Sequence, residues 1–129
     1  MRSAVPWQNG VDMNDHLILI ALFGAHFLAD YPLQGDFLAK AKNRTIPIPG
    51  VPWQHALGAH SFIHGAFVAL ITGIWWLCFL EATIHWITDD AKCRGKLTFN
   101  QDQMIHLACK MVWFFVPVHY ATFSIARLI

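Results

Sequence analysis

The chain has 129 residues, enough for one domain and short for two. Hydrophobic residues make up 56% and charged residues 13%, against roughly 45–50% and about 25% in soluble domains, so composition points to a membrane protein. The formal net charge of +1 gives no footprint for nucleic acid, and three scattered cysteines without a C-x-x-C pair argue against a disulfide framework or a zinc ribbon.

Met1 to Asn14 is polar and lacks the apolar core of a secretory signal, so it reads as a short tail. Asp12 or Asn14 is placed to cap a first helix over residues 14–31. Pro32 disfavours helical geometry at Tyr31 and should end it. Gln34 to Val51 is a loop with Lys40, Lys42 and Arg44, in which Asp36 to Lys42 suggests a short amphipathic turn.

Trp53 to Lys92 is about twice the ~20 residues that a membrane span needs. A split at Thr72-Gly73 yields two spans, 53–71 and 74–92, joined by a tight turn. Cys93 to Thr98 is a short basic turn, and Thr98 or Asn100 is placed to cap a fourth helix over 99–128, with a kink expected at Pro117. The expected fold is an all-α, polytopic four-helix membrane bundle in one domain.

Four spans would put both termini on one side of the membrane. Lys40, Lys42, Arg44, Lys92, Arg94 and Lys96 then fall on the other side, against Arg2 and Arg127 with the termini. Lys and Arg flank spans on the cytoplasmic face. The expected placement is therefore multi-pass in the inner membrane, with the basic loops cytoplasmic and the termini outside. Gly24, Gly58 and Gly65 would permit close helix contacts, so a homo-oligomer is an open expectation.

Against this apolar background the ionisable residues recur with one spacing. Glu81, His85 and Asp89 are four apart, as are His26 and Asp30, His60 and His64, and Asp102 and His106. On a helix that interval stacks side chains along one stripe. All four sets lie toward the basic-loop ends of their helices. Counting back from the turn between the last two helices levels Glu81 with Lys110, His85 with His106, and Asp89 with Asp102. Glu81 and Lys110 are an expected buried ion pair. The isolated His16, His55 and His119 read as structural groups, and Asp90, Lys92, Arg94 and Lys96 as a solvated turn.

An ionisable group at the centre of a bilayer costs about 2.5–3.5 kcal/mol or more, so these groups should face inward and satisfy one another. Imidazole and carboxylate on facing helices are how bundles hold metals, and neutral imidazole with carboxylate suits Zn, Fe or Mn, Zn first. The expected ligands are His60, His64, His85 and Asp89, with His26, Asp30, Asp102 and His106 supplying a second ion or a supporting layer. Asp30 and Asp102 are the candidate catalytic bases for a metal-activated water. Ser61 stands where an H-E-x-x-H protease motif needs its Glu. The same residues suit two other uses, a proton or ion pathway and a purely structural polar network.

The order H-F-L-A-D-Y-P-L-Q (26–34), H-S-F-I-H (60–64), H-W-I-T-D-D-A-K (85–92) and D-Q-x-x-H (102–106) resembles a family of small phage and bacterial polytopic membrane proteins. It is domain-of-unknown-function family 3307. The resemblance implies a polytopic membrane protein and no assigned activity. A more distant likeness, in residue types alone, is to membrane-bound metal-dependent hydrolases. The leading expectation is thus a metal-binding membrane protein, in contact with the lipid bilayer and hydrolysing a lipid or headgroup substrate. The alternatives are a proton- or ion-conducting protein and a non-enzymatic phage membrane factor for lysis or exclusion.

Overall fold

Apolar runs punctuated by Pro and Gly fold, among the described residues, into five helices: α1 (Met13–Asp30), α2 (Gly35–Ala41), α3 (Trp53–Thr72), α4 (Leu77–Cys93) and α5 (Phe99–Ala126). This computed structural model describes the backbone from residue 13 to 126 and side chains from 15 to 117. Among the described residues the chain is all-α, with no strand. Asp12, the side chain of His119, Arg2, Arg127 and Leu128 lie outside them. Asn14 lies within α1 and so does not cap it.

Local chemistry explains the ends. Pro32 follows α1, and α2 leaves it at 80° through a turn with Gly35 at positive φ. The expected turn over 36–42 is therefore a helix, making five helices rather than four. Gly73, with φ of 71°, caps α3 in the left-handed conformation that glycine tolerates best. The next helix begins at Leu77 and not at the expected residue 74, because Ile74 to Trp76 form the connecting turn. Two bonds, Lys96 N–H to Ala91 and Gly95 N–H to Lys92, close α4 in a Schellman arrangement. Thr98 and Gln101 cap α5 reciprocally: each side chain accepts from the other's backbone N–H, at 3.2 and 2.9 Å.

The four long helices form a ring. The closest-packed pair is α3 with α4, α1 packs on α3 and α5, and α4 completes the ring on α5. Gly65 lets α3 approach α4: a Cβ there would overlap the Cys78 carbonyl oxygen. Gly58 accommodates the Trp86 ring. Two of the glycines expected to serve association thus serve contacts inside the chain; Gly24 faces open space.

The interior is divided along its length. One half is apolar, with Leu22, Val68, Ile74, Leu77, Trp113 and Phe114 in contact. The other half buries His26, His60, His64, His85, Asp89, Asp102 and His106. The outer surface carries exposed Leu17, Ile20, Phe62, Leu70, Trp75 and Phe79 among many large apolar side chains. By length and composition α3 is the one helix among the described residues able to cross a membrane, and α1 with α2 qualifies only as a bent pair.

Candidate metal centre

The centre is built from the i, i+4 stripes of the ring helices. His60 and His64 come from successive turns of α3, His85 from α4, and Asp30 from the last turn of α1. Their Nε2 atoms point at one carboxylate oxygen. Asp30 Oδ1 lies 2.9 Å from His64 Nε2, 3.2 Å from His60 Nε2 and 3.8 Å from His85 Nε2. The Nε2 atoms of His60 and His85 are 3.2 Å apart. Ligand atoms about 2.0–2.1 Å from one tetrahedral ion stand roughly 3.3 Å from each other. Asp30, His60, His64 and His85 therefore have the donor set and the spacing to hold a metal ion.

Proton supply makes the same point. A neutral imidazole carries one N–H. His60 Nε2 faces both Asp30 and His85 and cannot donate to both with one proton. A cation among these atoms satisfies every lone pair at once.

The buried charges decide between carboxylates. Glu81 accepts from Lys110 and from the Trp113 indole. Asp89 pairs with Lys42 and, at 2.6 Å, with Lys92. Lys92 also reaches Asp102 at 2.8 Å. Asp90 binds Arg44 at 2.9 Å and Arg94 at 3.0 Å. Asp30 is the exception: among the described residues its partners are His26, His60, His64, His85 and Gln103, with no Lys or Arg. Its negative charge must be balanced by a protonated imidazole or by a bound cation.

Asp30, expected as a base, thus sits among the ligand atoms, and Asp89, expected as an inner ligand, is held by two ammonium groups. Asp89 forms a second possible ion-holding group with His85 and His106, but Lys42 and Lys92 already neutralise its carboxylate. His26 supports the centre. Its Nε2 lies 3.1 Å from Gln103 Oε1, and the Gln103 amide donates to Asp30 Oδ2 at 2.7 Å. His106 stacks on His85, ring centroids 3.9 Å apart, with its Nε2 3.3 Å from Asp102 Oδ1.

Lys42 and Gln103 carry parts of the site that spacing alone did not assign. Lys42 belongs to the basic loop, yet it is buried and bonded to Gln34 and Asp89. The turn read as solvated is also in part structural, since Asp90 is buried between two arginines and Lys92 bridges two carboxylates. His16 and His55 are exposed, not buried structural groups.

A family described as "Protein of unknown function (DUF3307)" matches residues 18–128. The chain belongs to the DUF3307 family. The match includes every residue of the centre of this DUF3307 chain. No curated protein and no solved structure matches it.

Proposed function

We propose that this DUF3307 chain is a membrane-embedded metal-dependent hydrolase whose substrate is a lipid or a lipid headgroup. The observation that carries the metal reading is Asp30, a carboxylate ringed by imidazoles, its side chain 8% exposed, and without a Lys or Arg partner among the described residues. Zn suits three neutral imidazoles and one carboxylate at tetrahedral spacing. Four protein ligands would close a tetrahedral ion to water, so a hydrolytic role would require a fifth position or the release of one ligand; a water bound there would give a hydroxide near neutral pH. The His106–Asp102 pair stands beside His85, with His106 Nε2 3.3 Å from Asp102 Oδ1 and His106 Nδ1 without a hydrogen-bond partner among the described residues. His106 would be placed to take up a proton from such a water, with the Asp102 carboxylate one turn back balancing its charge. Asp30 has become a ligand in this reading, and Asp102 keeps a catalytic part through His106.

The membrane reading rests on an inverted distribution. Among the described residues more polar and charged than hydrophobic ones are buried, and many large apolar side chains are exposed. Ionisable groups lower the hydropathy of α1, α4 and α5, but among the described residues His26, Glu81, His85, Asp89, Asp102, His106 and Lys110 are buried. We assign four spans, α1, α3, α4 and α5, with the centre near the cytoplasmic face and the basic loops on that side.

One observation favours a proton pathway as a second reading. The rings of His64, His85 and His106 form a continuous stack, at 3.7 and 3.9 Å. The apolar cluster around Leu22, Leu77 and Phe114 closes the other half of the bundle, so we rank a closed reaction site above a conduit.

Elemental analysis of protein purified in mild detergent, without chelator or metal-affinity resin, tests the proposal. One metal ion per chain is expected in the wild type, lost in a folded His60→Ala/His85→Ala variant. A folded wild type without metal overturns it and directs attention to proton flux in liposomes.

A further inference from the structure

The metal reading requires each ligand imidazole to present a lone pair at Nε2, which leaves its single proton on Nδ1. That proton needs an acceptor, because the Nδ1 atoms of His60, His64 and His85 are all buried without a hydrogen-bond partner among the described residues. Of the three, only His85 has a carboxylate of the described residues within 4 Å of its Nδ1. Glu81 Oε1 lies 3.7 Å from His85 Nδ1, one helical turn back on α4.

Glu81 does not touch the Nε2 cluster, and it is held from the far side. Lys110 of α5 donates to its Oε1 and the Trp113 indole donates to its Oε2. A carboxylate offers about four lone-pair sites, so these two donors leave room for a third. Glu81 is buried at the boundary between the polar half and the apolar core, since Trp113 also belongs to that core. The i, i+4 spacing puts Glu81 on the stripe of α4 that carries His85, and Lys110 and Trp113 hold its carboxylate from α5. The 3.7 Å separation exceeds the length of an N–H···O hydrogen bond by roughly 0.8 Å.

We infer that Glu81 is a positioning residue for the proposed metal centre: it accepts the Nδ1 proton of His85, fixes the tautomer that turns Nε2 inward, and is itself anchored by Lys110 and Trp113. This rests on the metal reading. It gives the buried Glu81–Lys110 pair a use beyond joining α4 to α5. Outer partners of this kind are typically worth 10–100-fold in metal affinity.

Removing Glu81 alone would strand the Lys110 charge, so the test uses charge-matched pairs. Glu81→Gln/Lys110→Met keeps an acceptor oxygen opposite His85, and Glu81→Leu/Lys110→Met does not. Zn affinity is measured by chelator competition, with thermal unfolding recorded on the same samples. The expected result is an affinity near wild type for the Gln pair and 10–100-fold weaker for the Leu pair. Equal affinity in the two paired variants overturns the inference, and so does rescue failure in a folded Gln pair.

Should either pair not fold, the wild type answers alone. In histidine-15N-labelled, Zn-loaded protein, His85 is expected to carry its proton on Nδ1 and the metal on Nε2. Protonation at Nε2 overturns the inference. A folded wild type that binds no Zn overturns the metal reading together with it, whereas Zn binding with equal paired variants removes only the part given to Glu81.

Discussion

Asp30 and Asp89 are each one helical turn from a histidine of their own helix, and each meets imidazoles of other helices. They differ in compensation. Two ammonium groups sit on Asp89, and among the described residues none sits on Asp30. The same isosteric change should therefore act differently at the two sites. Asp30→Asn is expected to abolish stoichiometric metal while leaving the fold, since it removes a negative charge that, among the described residues, only imidazoles and the Gln103 amide face. Asp89→Asn should retain metal but lower stability by about 3–5 kcal/mol, because Lys42 stays buried without its counter-charge. Metal content and thermal unfolding of both variants, side by side, check this. Loss of metal from Asp89→Asn with retention in Asp30→Asn would reverse the assignment of the centre. The stripe of His and Asp residues was legible from their spacing, because helical geometry fixes which residues of one segment share a face. The role of each carboxylate was not, because it depends on cations from other segments.

Among the elements, the α3–α4 hairpin sets the geometry of the centre, as it brings His60 and His64 against His85. Its closeness depends on Gly65, next to His64 in the chain and directly under the Cys78 carbonyl. Gly65→Ala must push α4 away from α3. The expected cost is about 1–3 kcal/mol, the usual range for overpacking, accompanied by weaker metal binding as His85 is displaced. Thermal unfolding and chelator competition measure the two effects. Stability and affinity both at wild-type levels would mean that the hairpin does not set the site. The helix ends were readable where single residues govern them: Pro32 after α1, Gly73 after α3, Thr98 before α5. The seven residues of α2 are too few for a periodic pattern, and its docking on α3 decides their helical state.

For the whole molecule, the polar interior and apolar exterior predict behaviour in a bilayer. The protein should stay in the membrane fraction through alkaline carbonate extraction. Reporter fusions after Lys96 and after Ile129 should report opposite sides, with the basic loop cytoplasmic. Release by carbonate, or both reporters on one side, would remove the four-span arrangement.

The order of residues dictates a helical chain of low charge with its ionisable groups at four-residue intervals, since these follow from composition and local geometry. It also limits the available chemistry to imidazole, carboxylate and amine. Which of those groups meet is a matter of tertiary structure. Lys42 lies 47 positions from Asp89, and Gln103 lies 73 from Asp30. Charge compensation works through space at a few ångströms, whatever the separation along the chain. Only the folded ring could therefore leave Asp30, and not Asp89, as the carboxylate in want of a cation.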